Sequence, residues 1–141
     1  MVQGTMRPDR DWGNSPEFGR REEYPPPAHL EGIALLTWQH YEPLLRGAGV
    51  LTDADLLAFE KYCHWAEVFE LAQKNIRENG VTIPTVTGDM KKNPAVTAAK
   101  DASAELRALS GVLGLDPAAR TRINVPKKDK PKAGFGSLRG K

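Results

Sequence analysis

The residues able to carry acid–base, nucleophilic or metal chemistry are few in this chain and follow no known catalytic spacing. The 141 residues include one cysteine and three histidines. Cys63 and His64 are adjacent, and neighbours on a helix diverge by about 100°, so they cannot bind one ion together. The sequence holds no GxxxxGK[ST] phosphate loop, GxSxG, HExxH or CxxC motif. We therefore predict no catalytic residues, no cofactor, no metal and no enzymatic activity.

The isolated candidate groups have simpler interpretations. Cys63 falls on an apolar helical stripe and is predicted to be a buried structural thiol. Glu60 and Glu67 share a helix face and could bind a cation together, which leaves an enzyme as a weak alternative, but a solvated acidic face is preferred. The dispersed histidines are expected to be solvated or packed: His29, His40 and His64.

Positive charge is concentrated at the C-terminal end of the chain. The net charge is only +2 overall. Residues 120–141, however, hold eight basic side chains and one acidic, whereas residues 29–119 hold eight basic and twelve acidic. Lysine and arginine on a flexible segment neutralise phosphates without reading bases, so this tail is predicted to bind DNA, with a generic solubilising tail as the alternative. The predicted DNA contacts are Arg120, Arg122, Lys127, Lys128, Lys130, Lys132 and Arg139.

Residues 41–70 have the outline of a helix–turn–helix, because a glycine-containing turn at 46–50 separates two predicted helices. The second of these helices, predicted over 53–79, carries six acidic and three basic residues. A helix of that sign is repelled by DNA phosphates in a major groove. A DNA-reading helix–turn–helix therefore stays an alternative to the tail.

The first two helices are predicted from apolar periodicity. The first begins near Leu30 and ends at Gly47 and Gly49, with Pro43 expected to kink or interrupt it. Thr52 is predicted to cap the second helix, which carries two apolar stripes and so needs burial on two sides or a second subunit. The first helix face is Leu30, Ala34, Trp38, Tyr41 and Leu45. The predicted oligomer interface is Leu57, Trp65, Val68 and Phe69.

The C-terminal half predicts a hairpin or extended loop followed by two helices. Residues 81–89 are β-branched and interrupted by Pro and Gly. Asn93-Pro94 is an N-cap followed by proline at the first helical position, and opens a third helix that ends at Gly114. Its alanines allow close approach, which predicts an antiparallel helical hairpin. Asp116-Pro117 repeats the capping pattern and predicts a short fourth helix over about 117–123.

These elements predict an all-α fold, a helical hairpin or small bundle that forms oligomers. The expected divisions are a disordered segment 1–28, a helical core and oligomerisation domain 29–123, and a flexible basic tail 124–141. No apolar run approaches the length of a transmembrane helix, and the start of the chain lacks the apolar stretch of a signal peptide.

Residues 91–123 carry several short elements in order, and together they resemble the signature of one branch of the small terminase subunits of tailed bacteriophages. Upstream, a tryptophan-bearing first helix and an aromatic second helix are similar in a more general way, so the likeness covers about residues 30–123. The elements that carry the signature are Asn93-Pro94-Ala95, Glu105-Leu106-Arg107, Leu113-Gly114-Leu115-Asp116-Pro117 and the pair Arg120/Arg122.

The resemblance implies a non-enzymatic packaging factor that assembles into rings, binds the viral genome and delivers it to the large terminase subunit, which holds the ATPase and nuclease. The implied partners are double-stranded viral DNA, the large subunit and further copies of the chain, in the bacterial cytoplasm. Several small terminases carry a basic helix–turn–helix near the N-terminus, whereas the second helix here is acidic. The alternatives are a helix–turn–helix transcriptional regulator and a helical adaptor without nucleic-acid binding.

Overall fold

A computed structural model describes residues 18–121 of the chain as a mostly helical fold with one small hairpin. This confirms the predicted helical class and the order of the elements, while residues 1–17 and 122–141 lie outside the described part. The elements are α1 (Gly32–Gly47), α2 (Leu56–Asn79), β1 (Thr82–Pro84), β2 (Met90–Lys92), α3 (Pro94–Val112) and α4 (Pro117–Arg120).

Helix α1 buries most of the face that periodicity predicts. Ala34, Trp38 and Leu45 are buried, as is Leu30 just before the helix, whereas Tyr41 is half-buried. The expected interruption at Pro43 is wrong, since the helix continues through it to Gly47. Pro43 lies on the exposed side of α1, where water can replace the helical donor that proline lacks.

Helix α2 begins later than predicted. The Asp55 carboxylate accepts hydrogen bonds from the backbone N–H and the hydroxyl of Thr52, which is half of the expected capping box. The backbone N–H of Asp55 pairs with the Thr52 carbonyl instead of the Thr52 side chain. Residues 53–55 therefore form a turn, and the helix starts at Leu56.

The segment after α2 is an antiparallel hairpin whose second strand lies beyond the predicted range 81–89. Thr82 pairs with Lys92 and Pro84 with Met90. The loop is closed by a 2.7 Å hydrogen bond from the Thr85 N–H to the Asp89 carbonyl, and Gly88 supplies the positive φ of 89° that the turn needs.

The buried side chain of Asn93 joins the hairpin to both long helices. Its oxygen accepts from the Ala95 N–H, which confirms the predicted N-cap of α3. Its amide donates to the Asn75 side chain at 2.9 Å and to the Gly80 carbonyl at 2.8 Å. Asn75 lies near the end of α2 and Asn93 at the start of α3, so the two helices run antiparallel, as predicted.

The core lies where α1, α2 and the end of α3 meet. The rings of Trp38 and Phe59 pack with centroids 4.3 Å apart. Phe59 is almost fully buried, and so are Cys63 and Leu113, which belong to the same core cluster. On α3 the buried residues are the small Ala99 and Ala102, which lets α3 lie close to α2.

Residues 18–28 belong to the folded unit, so the prediction that the disordered segment extends to residue 28 is wrong. Tyr24 is 2% exposed and sits in the core cluster. Its hydroxyl donates to the Leu51 carbonyl, its N–H donates to the Glu42 carboxylate, and its carbonyl accepts from the Trp38 indole. Proline and charge in this segment suggested disorder, but the segment is fixed by the buried Tyr24 ring and by three long-range hydrogen bonds, one made by the Tyr24 hydroxyl and two by its backbone.

Replacing Tyr24 by alanine should destabilise the protein by about 3–5 kcal/mol, because the change leaves a cavity in the core and removes the hydroxyl that donates to the Leu51 carbonyl. Urea unfolding followed by circular dichroism measures the loss. Phe18→Ala is the matched control in the same segment, since Phe18 is 53% exposed. It should change stability by about 0.5 kcal/mol or less. Equal effects of the two substitutions would mean that residues 18–28 do not anchor the fold.

Candidate functional site

The cationic end of the chain leaves the folded core through α4. Arg120 is exposed and is the last residue of this short helix, whose N-cap Asp116 accepts from the Ala118 N–H as predicted. The N–H of Leu115 donates to the Ser110 carbonyl and holds the turn against the end of α3. Arg120 is the one predicted DNA contact within residues 18–121. The others lie outside the described residues: Arg122, Lys127, Lys128, Lys130, Lys132 and Arg139.

Helix α2 keeps an apolar face exposed although it packs against two other helices. Leu57 and Val68 are 63% and 37% exposed. Trp65 and Phe69, the other two predicted interface residues, are half-buried. Leu71, 54% exposed, extends the same face and was missed, although its spacing of three residues from Val68 is the signal for it. Leu57, Val68 and Leu71 lie within about 60° around the helix; we call them the open face of α2.

The acidic residues of α2 do more than cover a solvated face. The Glu67 carboxylate accepts from the Ile33 N–H at 3.2 Å and so caps α1 from another helix. The N-cap residue of α1, Glu31, makes no side-chain hydrogen bond of its own. Gly32 has a φ of 53°, and a Cβ there would lie 2.8 Å from the Glu67 oxygen. Glu60 instead lies near His29 and His64. The predicted pairing of Glu60 with Glu67 around one cation is therefore not the arrangement observed.

Two of the three histidines come together, contrary to the expectation that they are dispersed. His29 Nε2 lies 2.7 Å from Glu60 Oε1, and His64 Nε2 lies 3.9 Å from the same oxygen. The rings of His29 and His64 are stacked, with centroids 6.2 Å apart and planes 11° from parallel. His40 lies elsewhere and packs edge-on against the Tyr41 ring. The sequence separates His29 from His64 by 35 positions, so only the fold could reveal this cluster.

One carboxylate is buried in the core and is paired there. Glu42 is 6% exposed, accepts from the Tyr24 N–H at 3.1 Å, and lies 2.7 Å from Arg46 Nε. A buried charge without a partner is strongly unfavourable, and both contacts compensate for the loss of water. Glu42 therefore stabilises the contact between residues 18–28 and α1.

Burial also controls the ionisation of two α2 side chains. Loss of hydration, with the Glu60 charge nearby, raises the pKa of the buried Cys63 thiol from 9.0 to about 12. Loss of hydration and the neighbouring Tyr41 raise the pKa of Tyr62 to about 12. A thiol with so high a pKa is a poor nucleophile, which agrees with the predicted structural role of Cys63.

The connection between α1 and α2 differs from that of a DNA-reading helix–turn–helix. It spans eight residues, 48–55, whereas the motif uses a turn of about three or four. Its second helix also buries Phe59 and Cys63 against α1 and exposes the apolar open face. These features disfavour the helix–turn–helix alternative.

The described fold is a small helical core with an exposed apolar face on α2, and a cationic sequence segment follows it. The chain matches the family of phage terminase small subunits over residues 34–130, and it belongs to that family. No curated protein and no solved structure matches it. Among residues 18–121, no helix is both long and apolar enough to span a membrane.

The family match confirms the resemblance to small terminase subunits, while the branch signature within residues 91–123 stays a prediction. The match runs from Ala34 in α1 through α4 and continues into the basic segment as far as residue 130. Small terminase subunits are components of phage DNA packaging and are in general not its catalytic part.

The raised pKa of Cys63 predicts a thiol that reacts only on unfolding. At pH 8 the native protein should react with a thiol reagent such as dithionitrobenzoate at least about a hundredfold more slowly than the protein in 6 M guanidinium, because the native thiol is buried and protonated. The unfolded thiol ionises first, so stability should fall as the pH rises from about 9 towards 12. Fast reaction of the native protein would contradict the assigned burial.

Proposed function

We propose that this protein is the small terminase subunit that binds the viral genome and delivers it to the large terminase subunit. The observation that carries the proposal is the family match over residues 34–130, which covers nearly all of α1, the elements from α2 to α4 and part of the basic segment. The proposed partners are double-stranded viral DNA, the large subunit and further copies of this chain. The proposed site of action is the cytoplasm of the bacterial host.

In this proposal the basic segment from Arg120 onward contacts DNA. Residues 120–141 carry a net charge of +7, from eight basic side chains and one acidic, whereas residues 29–119 carry −4. The folded body therefore offers DNA little electrostatic attraction, and the segment offers much. Because each neutralised phosphate releases counterions, about six to eight contacts would lower the affinity about a thousandfold between about 50 and 200 mM salt.

The open face of α2 is the proposed contact between copies of the chain. Leu57, Val68 and Leu71 are apolar, exposed and aligned on a helix whose other sides are buried against α1 and α3. Burying this face against a second copy would remove exposed apolar surface from water. The same contact, repeated from copy to copy, forms a closed ring when the rotation that relates neighbouring copies adds up to one full turn.

Reversing charge in the basic segment should abolish most DNA binding. The triple variant Lys127→Glu, Lys128→Glu and Lys130→Glu should bind a duplex at least about a hundredfold more weakly at low salt, with a salt slope smaller by about 0.9 for each lost phosphate contact. Fluorescence anisotropy across a salt series measures both quantities.

The matched control reverses the same number of charges on the folded body. Lys74→Glu, Lys92→Glu and Lys100→Glu all change exposed residues, and this variant should keep most of its DNA affinity. Sequence-specific binding that survives in the tail variant would favour the transcriptional regulator. No retention of the unchanged protein on DNA, even at low salt, would favour the adaptor.

Placing charge on the open face should break the assembly. The double variant Leu57→Asp and Val68→Asp should have the native mass of a single chain, whereas the unchanged protein forms a larger closed assembly, because paired carboxylates cannot be buried in an apolar contact. Native mass spectrometry measures the copy number, and circular dichroism checks that the helices remain.

Val86→Asp is the control for this experiment, since Val86 is fully exposed on the hairpin and away from α2. It should leave the mass of the assembly unchanged. An assembly that keeps its mass in the Leu57/Val68 variant would place the contact elsewhere, and a single chain in the unchanged protein would remove the ring from the proposal.

A further inference from the structure

We propose that His29, Glu60 and His64 form a binding site for a divalent transition metal, with zinc as the best match. The three side chains each offer one ligand atom, and these atoms all lie within 4.8 Å of one another. His29 Nε2 is 2.7 Å and His64 Nε2 is 3.9 Å from Glu60 Oε1. This inference does not depend on the proposed role in DNA packaging.

The spacing fits the size of the ion. Zinc binds imidazole nitrogen and carboxylate oxygen at about 2.0–2.2 Å, so two ligand atoms of a tetrahedral site lie about 3.4 Å apart. The separations of Glu60 Oε1 from His29 Nε2 and His64 Nε2 fall on either side of that value. Side-chain rotation can therefore bring both histidines to bonding distance while the backbone stays in place.

The donor set selects the class of metal. Two imidazoles and one carboxylate suit zinc and its transition-metal neighbours, whereas magnesium and calcium prefer oxygen ligands throughout. His29 and His64 are about half exposed or more, with side chains 62% and 49% accessible. A bound ion would thus keep at least one position open to water or to a further ligand.

The backbone positions of the ligands are held by their surroundings. Glu60 and His64 lie one turn apart on α2, and each directly follows a buried residue, Phe59 or Cys63. His29 precedes the buried Leu30, whose N–H donates to the Pro27 carbonyl at 3.0 Å. A metal at this point would join the segment before α1 to α2, close to where Glu67 caps α1.

The arrangement brings together one more ligand than a single ion pair requires. Glu60 Oε1 lies 2.7 Å from His29 Nε2, a hydrogen-bond distance, and 3.9 Å from His64 Nε2, which is too long for a hydrogen bond. One metal ion placed among the three ligand atoms would contact all of them, whereas the hydrogen bond joins only two.

The test is a zinc titration of the full-length chain after dialysis against EDTA, with a chromophoric chelator as the competitor. The unchanged protein should bind one zinc ion per chain. His29→Ala, Glu60→Gln and His64→Ala should each weaken zinc binding by at least about tenfold. His40→Ala is the matched control, because His40 is an exposed histidine outside the cluster, and it should bind as the unchanged protein does.

Thermal unfolding provides a second measurement that does not rely on the chelator. Zinc should raise the melting temperature of the unchanged protein and of His40→Ala, but not of the double variant His29→Ala/His64→Ala. A tenfold excess of magnesium over zinc should not displace the ion. Zinc affinity that is equal in the unchanged protein and the double variant would overturn the proposal, as would equally good binding of magnesium.

Discussion

The rest of the structure depends on the packing of helix α2, which contacts α1 on one side and α3 on another and is exposed to solvent on a third. One side packs against α1 through the contact of Trp38 with Phe59. A second side packs against α3, where small alanines permit close approach and the side chains of Asn75 and Asn93 are hydrogen-bonded. A helix buried on two sides still has a third, and on α2 that side is the open face. Within residues 18–121, only α1 and α3 pack along α2, and they leave its third side exposed.

The polar residues of α2 tie the chain together at the start of α1. That helix has no cap of its own, so its first turn relies on the Glu67 carboxylate two helical turns beyond Glu60. Glu60 lies against His29 just before the same turn. At the other end of the segment, Tyr24 is fixed by Leu51 and Glu42. Because residues 18–31 have little local structure, these long-range contacts determine their path.

Local patterns were enough to predict much of this fold. The apolar period of α1, the Asn93-Pro94 start of α3 and the Asp116-Pro117 start of α4 all depend on residues a few positions apart. The burial of Tyr24, the capping of α1 by Glu67 and the meeting of His29 with His64 depend on residues 14 or more positions apart. Such contacts exist only once α1 and α2 pack, and no periodicity in the chain encodes them. The predicted DNA contacts beyond Arg120 lie outside the described residues, and the four interface residues remain a prediction.

In the proposed function, assembly and DNA binding are linked by thermodynamics even though different residues carry them. A single basic segment with a few phosphate contacts binds weakly and is easily displaced by salt. When several chains are held together through α2, the first segment to bind brings the others to a high effective concentration near the same duplex, and the total affinity rises without a new contact. The apolar open face then contributes to DNA affinity without touching DNA. The acidic character of the folded body is compatible with this arrangement, because it leaves the cationic ends as the part of each subunit that phosphate attracts.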